Sequence, residues 1–239
     1  KELTRRRTIN YSLKEQKIME LEKKIVLNQI ELKNINEESV IYDNQEQCST
    51  LIVSKLHNRK LINIMVVALT QSGKTGTMCS LIKNYLNGTV NLIPKKNIYI
   101  ITGLSDRDWK KQTKHRMPES IQSRVYHRSD LLKRKFLEEI RNKENVLIII
   151  DEIQIAAKEN QTLYRAFKKA GFYDKQNLLR KDIKIIEFTA TPDGTIYDLM
   201  NWGEHAEKIK MNPGDGYTSC FDLLRQNRIR QYKDLYCNE

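Results

Sequence analysis

The chain has 239 residues, of which 39% are hydrophobic and 30% are charged, and its formal net charge is +12. This length and balance exclude a disordered chain and predict a globular protein with a sizeable core. No apolar run approaches the ~20 residues of a membrane span and no secretory signal is present, so we expect an intracellular protein (cytoplasm or nucleus) without a membrane partner. The positive surplus favours polyanionic partners, nucleic acid above all.

The cysteines and histidines are scattered rather than grouped. The cysteines form no Cys-x-x-Cys pair, which predicts reduced thiols rather than a zinc site. They are Cys48, Cys79, Cys220 and Cys237. The histidines are interpreted as structural or surface residues.

Residues 1–40 predict a basic N-terminus followed by an amphipathic helical extension. Between residues 11 and 35, apolar residues recur in alternating three- and four-residue steps. Asn28 occupies the one polar position in this repeat. The apolar positions are Ile18, Leu21, Ile25, Leu32 and Ile35. Because this repeat is short for an independent coiled coil, we expect the helix to pack on the following domain or on a partner.

Strand-like apolar runs alternate with helical stretches over 41–211, which we predict to form one domain. The runs are apolar along their length, as a parallel sheet covered on both faces requires. They span 61–68, 97–102, 145–151 and 183–189. Helices are predicted at 45–57, 74–85, 106–114, 130–141 and 161–170, the first with Cys48, Leu51, Ile52 and Leu56 on one face. This order predicts an α/β fold with a mostly parallel sheet and helices on both faces, followed by a basic helical tail or linker at 212–239.

A P-loop follows the first strand and opens the next helix. Its sequence is Ala68-Leu69-Thr70-Gln71-Ser72-Gly73-Lys74-Thr75. In such a loop the backbone N–H groups and the helix N-terminus bind phosphate, and Gly73 lets the backbone approach the anion. Lys74 is expected to bind the β- and γ-phosphates and Thr75 to ligate Mg²⁺. The nucleotide-binding prediction also includes Ala68, Thr70, Gln71 and Ser72.

A second apolar strand ends in two carboxylates, Asp151 and Glu152. Open α/β sheets bind ligands outside the carboxyl ends of their strands. We therefore expect Asp151 to hold Mg²⁺ through water and Glu152 to activate the attacking water. Together with the P-loop, this strand predicts binding and hydrolysis of ATP with Mg²⁺.

A third segment, Thr189-Ala190-Thr191, ends the last apolar run. In this order, the P-loop, Asp151-Glu152-Ile153-Gln154 and the threonine segment resemble motifs I, II and III of the superfamily 2 helicases and translocases. The resemblance covers about 42–207 and implies a RecA-like ATPase domain. It further implies a catalytic role for Gln154, and coupling of the γ-phosphate state to nucleic-acid contacts by Gln154, Thr189 and Thr191. The sequence style is similar to helicase-like ATPases of large DNA viruses and restriction-type motors.

The same resemblance implies an adenine contact from Gln45, or Gln47, and nucleic-acid contacts from two strand–helix connections. The latter residues are Thr102, Arg107, Arg128 and Ser129. Two features depart from the family. Gln71 stands where glycine is usual, and nothing after Glu207 resembles the second RecA-like lobe, so we expect its arginine finger from a longer chain or from another subunit.

These motifs predict the ATP-hydrolysing lobe of a helicase or translocase that acts on nucleic acid, DNA in preference to RNA. Two alternatives stay open. A terminase-type packaging ATPase shares the P-loop, the Asp-Glu strand and a threonine-containing coupling segment. A structural or docking module would retain the P-loop fold without hydrolysis.

Overall fold

The structure is a computed structural model that describes residues 40–87, 93–103, 107–152, 162–191 and 202–229. The predicted N-terminal helix, Gln154 and the end of the predicted tail lie outside these ranges. Within them, no helix is both long and apolar enough to cross a membrane.

Six described strands form one sheet in which every pairing is parallel. They are β1 (Asn63–Val67), β2 (Ile98–Thr102), β3 (Val125–His127), β4 (Val146–Asp151), β5 (Ile183–Thr189) and β6 (Ala206–Lys210). Their order across the sheet is β3-β2-β4-β5-β1-β6. Of the four interior strands, β2, β4 and β5 are buried along their whole length, which explains why their sequences are mostly apolar, with the buried charged residues Lys184 and Glu187 in β5 as exceptions.

Helices cover both faces of the sheet. The described helices are α1 (Asp43–Leu56), α2 (Lys74–Asn87), α3 (Arg107–Arg116), α4 (Glu119–Gln122), α5 (Arg134–Arg141), α6 (Thr162–Ala170), α7 (Lys175–Arg180) and α8 (Cys220–Arg225). One buried cluster includes residues of α1, α2 and α4, and a separate cluster includes residues of α5, α6 and α7. The predicted α/β fold with a parallel sheet and helices on both faces is therefore confirmed.

The short strands β3 and β6 are not predicted from the sequence. β3 has only three residues, and β6 alternates little between apolar and polar residues because it lies at the edge of the sheet. The helix predicted over 130–141 begins only at Arg134. Asp130 instead ends a 3-10 turn, where its carboxylate pairs with Lys110 and Lys133.

The buried face of α1 differs from the prediction by one residue. Leu51, predicted on that face, is 43% exposed. Ser49 is buried instead, and its hydroxyl lies 2.7 Å from the hydroxyl of Ser80 on α2. This hydrogen bond satisfies two buried polar groups where α1 packs on α2, so the packed face includes a polar residue that an apolar pattern does not reveal.

A lysine is buried near the start of β5. Lys184 is 4% exposed, and its ammonium donates to the main-chain oxygens of Asn58, Arg59 and Leu61. It also pairs with Asp182 at 3.2 Å. Burial lowers the pKa of Lys184, and the charge of Asp182 opposes that shift.

Replacing Lys184 by methionine should lower the free energy of unfolding by about 1–3 kcal/mol, because several main-chain oxygens lose a charged donor. The measurement is the urea midpoint at neutral pH. The matched control is Lys169→Met, which changes an exposed side chain. If both variants keep the wild-type midpoint, the ammonium does not stabilise this end of the sheet.

Candidate nucleotide-binding site

The three sequence motifs meet at the C-terminal edge of the sheet. β5 lies between β1 and β4, so Thr189 stands between the P-loop strand and the strand of the two carboxylates. The backbone N–H of Ala68 donates to the oxygen of Thr189, and that of Glu152 donates to the oxygen of Phe188, both at 2.9 Å. Motifs that are far apart in the sequence therefore share one hydrogen-bonded edge.

The P-loop joins β1 to α2 and contains two residues in the left-handed backbone region. Gly73 has φ 99° and Gln71 has φ 60°. Glycine adopts such angles without a steric penalty, whereas the side chain of Gln71 makes its conformation strained. Ser72 is buried and its hydroxyl donates to the oxygen of Leu69 at 2.7 Å, which closes the loop. α2 begins at Lys74, so the free N–H groups of its first turn lie at the loop.

Gln45 supports the P-loop from α1. Its side chain is 7% exposed, and a Cβ added at Gly73 or Gly76 would lie 2.3 Å from its amide. The amide oxygen accepts the N–H of Tyr42 at 3.2 Å. The structure therefore places Gln45 beneath the loop, whereas Gln47 is exposed.

A cleft of about 790 Å³ opens beside the P-loop. The first turn of α1 lines one side, and 212–217, the segment after β6, lines the other. The hydroxyl of Tyr217 donates to the oxygen of Thr70 at 2.8 Å, and the amide of Asn44 donates to the oxygen of Asn212 at 3.1 Å. The volume is typical of a small-ligand site. The sequence did not predict that 212–217 line this cleft, because no motif links that segment to the P-loop.

Lys74 and Glu152 form an ion pair with Nζ and Oε1 2.7 Å apart. Their side chains are only 10% and 16% exposed, so solvent screens the pair weakly. Glu152 directly follows β4 and has φ 55°, a strained conformation for a residue with a side chain. The structure thus brings together the predicted phosphate-binding cation and the predicted base.

Asp151 is 3% exposed and its two oxygens have different surroundings. Oδ2 accepts the indole N–H of Trp109 at 3.3 Å, whereas Oδ1 has no hydrogen-bond partner in the described part of the chain. Burial raises the pKa of Asp151 to about 6; the indole N–H lowers it and the Glu152 charge raises it. A divalent cation would supply the interaction that Oδ1 lacks and would favour the ionised form. The carboxylate therefore fits the predicted Mg²⁺, with Thr75 in the first turn of α2 as the other predicted ligand.

The predicted coupling threonines lie at the same edge. Thr189 is fully buried at the end of β5, and its hydroxyl oxygen accepts the N–H of Thr191 at 3.1 Å. Thr191 is exposed two residues later. This bond closes a bend at Ala190, directly after the strand that lies between the P-loop strand and the carboxylate strand.

Thr102, predicted to contact nucleic acid, lies inside the sheet. This side chain is fully buried, because β2 lies between β3 and β4, and its hydroxyl donates to the oxygen of Tyr126 at 3.4 Å. Arg107 is exposed at the start of α3, and Ser129 is exposed in the turn after β3.

An ion pair joins these two surface regions. Lys110 of α3 pairs at 2.8 Å with Asp130, which lies in the same turn as Arg128. The pair therefore places the start of α3 beside that turn.

Comparison with known proteins finds no matching protein-family model and no curated protein that matches this sequence. Solved structures with partial likeness include a DNA replication initiation factor, at 14% identity and a TM-score of 0.43, over 76% of this chain and 50% of that one. Domain III of the Thermotoga maritima replication initiation protein DnaA has 13% sequence identity and a TM-score of 0.42, and the match covers 74% of this chain and 66% of that one. The Pyrococcus furiosus Hef helicase domain has 18% sequence identity and a TM-score of 0.41, and the match covers 69% of this chain and 38% of that one. The chain thus spans half of the first of these structures.

Proposed function

We propose that this chain is the ATP-binding and hydrolysing lobe of a nucleic-acid helicase or translocase. The observation that carries the proposal is the shielded Lys74–Glu152 pair, 2.7 Å long, next to the buried carboxylate of Asp151. These groups lie at the carboxyl ends of parallel strands, where open α/β sheets bind ligands. A phosphate-binding cation, a base and a cation ligand are the parts that hydrolysis of a nucleoside triphosphate needs.

The phosphates bind in the P-loop, and the nucleoside occupies the adjacent cleft. Lys74 and the N–H groups at the start of α2 attract the β- and γ-phosphates. Gln47 is exposed on the cleft and meets the base, whereas Gln45 holds the loop in shape. Asp151 and the hydroxyl of Thr75 hold Mg²⁺, which supplies charge neutralisation at the phosphate oxygens.

Hydrolysis uses Glu152 as the general base. Phosphate oxygens compete with its carboxylate for the ammonium of Lys74, so nucleotide binding weakens the ion pair. The carboxylate then accepts a proton from water, whose oxygen bonds to the γ-phosphorus while ADP leaves with the electrons of the broken P–O bond. Gln154, Thr189 and Thr191 couple the state of the γ-phosphate to the nucleic-acid surface.

The nucleic-acid surface is proposed at the start of α3 and the turn after β3. The support is the net charge of +12 and the position of Arg107, Arg128 and Ser129 on neighbouring elements. Cations on such a surface bind the phosphate backbone without reading sequence. DNA is the proposed partner in preference to RNA, and a second RecA-like lobe, in a longer chain or another subunit, completes the catalytic site.

The isolated chain should bind ATP and hydrolyse it slowly, with little stimulation by nucleic acid, because stimulation needs an arginine finger from the second lobe. The measurements are binding of a fluorescent ATP analogue and phosphate release with and without DNA and RNA oligonucleotides. Chelation of Mg²⁺ by EDTA is the control and should stop phosphate release.

Three other outcomes would each contradict part of this expectation. Binding without phosphate release would favour the docking module. Strong stimulation by an oligonucleotide would show that another copy of the chain supplies a finger. A chain that binds no nucleotide would overturn the proposed function.

A further inference from the structure

We infer that Trp109 is a positioning residue of the cation site: its indole N–H holds Oδ2 of Asp151 and leaves Oδ1 to face the cation. This inference rests on the proposed function, because the cation accompanies the bound nucleotide. It adds a residue that lies outside the P-loop, the Asp151-Glu152 segment and the threonine segment.

The two oxygens of the Asp151 carboxylate are not equivalent. Oδ2 accepts the indole N–H at 3.3 Å, and Oδ1 is buried without a hydrogen bond from any described group. A buried carboxylate oxygen is ordinarily satisfied by a donor or a cation. The indole N–H is a donor that cannot itself ligate a metal, so it engages one oxygen and leaves the cation site to the other.

Trp109 lies on a helix outside the sheet, from which its indole N–H donates a hydrogen bond to the Asp151 carboxylate. It is in the first turn of α3 and is 36% exposed. The other residues of that helix are all polar or charged, and among them only Thr113 is buried. An aromatic residue in this position contributes little to the core, since the buried clusters on the two faces do not include it. Its hydrogen bond to Asp151 is therefore the specific contact that the ring makes at the site.

The elements on either side of this contact are firmly placed. The N–H of Gly103, after β2, donates to the oxygen of Asp151 at 2.8 Å. A Cβ at Gly103 would lie 2.3 Å from the oxygen of Glu152, so the two strand ends are packed backbone to backbone. On the outer side, Lys110 ties α3 to Asp130 at 2.8 Å. The indole donor is thus presented by an anchored helix.

A hydrogen bond that fixes a ligand carboxylate raises its affinity for a metal, because less rotational freedom is lost on binding. Partners of this kind typically contribute about 10–100-fold in metal affinity. The phosphate-binding loop is held by other contacts, from Gln45 and Tyr217. Loss of the indole should therefore weaken the response to Mg²⁺ and leave nucleotide binding without Mg²⁺ intact.

Two substitutions separate the N–H donor from the aromatic ring. Trp109→Phe keeps an aromatic ring without a donor. Trp109→His keeps a five-membered ring whose Nε2 overlies the indole nitrogen, and at pH 8 the neutral imidazole can donate from it. Trp202→Phe is the matched control, since Trp202 is the other tryptophan of the chain and belongs to the buried cluster on the face of α5, α6 and α7.

The readout is binding of a fluorescent, non-hydrolysable ATP analogue during Mg²⁺ titration, with Mn²⁺ binding followed by electron paramagnetic resonance. Trp109→Phe should raise the half-saturating Mg²⁺ concentration about 10–100-fold and change the Mg²⁺-free Kd less than about twofold. Trp109→His should recover most of the loss, and Trp202→Phe should match the wild type. The tryptophan emission of the wild type should also change when Mg²⁺ joins the bound analogue, and this change should be absent from Trp109→Phe.

Wild-type Mg²⁺ dependence in Trp109→Phe would overturn the inference, as would equal losses in the Phe and His variants, which would implicate ring volume rather than the donor. Wild-type tryptophan emission that does not change with Mg²⁺ would overturn it as well, and this measurement needs no variant. In each of these cases the proposed function stands, provided that the wild type binds the analogue in a Mg²⁺-dependent way. A wild type without Mg²⁺-dependent binding would instead contradict the proposed function.

Discussion

Replacing Lys74 with alanine should abolish measurable ATP turnover while the fold is retained. In the proposed site the ammonium is the side-chain cation of the P-loop that binds the β- and γ-phosphates, and loss of one such group from a shielded site lowers kcat by about 10²–10³-fold or more. The substitution also leaves the Glu152 carboxylate, 16% exposed, without its 2.7 Å partner. The added negative potential repels the triphosphate, so nucleotide affinity should fall as well.

The measurements are phosphate release and binding of a fluorescent ATP analogue, with circular dichroism to confirm folding. Lys60→Ala is the control, because it removes an exposed lysine just before β1 and should change neither activity nor affinity. Hydrolysis that persists in Lys74→Ala would count against the P-loop as the phosphate site.

Replacing Glu152 with glutamine should block hydrolysis and preserve nucleotide binding. The amide has nearly the same shape but cannot accept the proton of the attacking water, so kcat should fall by about 10²–10⁴-fold. Affinity should be equal to the wild type or tighter, because the amide no longer competes with phosphate for the ammonium of Lys74. The two substitutions at one ion pair therefore move nucleotide affinity in opposite directions.

The measurements are the Kd of the ATP analogue for both variants and single-turnover phosphate release. Glu138→Gln is the matched control, since Glu138 is an exposed carboxylate on α5 that pairs with Arg134. Undiminished turnover in Glu152→Gln would remove Glu152 as the base. Weaker binding in that variant would show that the ion pair does not compete with phosphate.

The chemistry-bearing segments are predictable because each is a local pattern. The P-loop is a strand, a glycine-containing turn and a helix start within a few residues, and α2 begins at Lys74 as predicted. The pattern of the strand that ends at Asp151 is equally local, since burial on both faces of a parallel sheet favours a continuous apolar run. The parallel α/β fold follows from the same runs and is confirmed.

The partners of these segments are not predictable from the same patterns. Gln45 lies against Gly73, Tyr217 reaches Thr70, and Trp109 reaches Asp151 only because helices and loops from other parts of the chain pack on the C-terminal edge. Short-range periodicity carries no information on which elements become neighbours.

The burial of Thr102 was not predictable for the same reason. A hydroxyl at a strand end is exposed or buried according to the strands beside it, and β2 has β3 on one side and β4 on the other.

The sequence by itself determined that this protein has a P-loop followed by a helix, a buried strand that ends in two carboxylates, and an α/β parallel sheet. Each of these is set by steric and hydrophobic requirements that act within a few residues. Only the tertiary structure decided that β5 inserts between β1 and β4, that Lys74 meets Glu152 at 2.7 Å, and that Trp109 takes one oxygen of Asp151. The order of strands and the packing of helices depend on contacts between distant residues, and those contacts form only when the whole sheet is assembled.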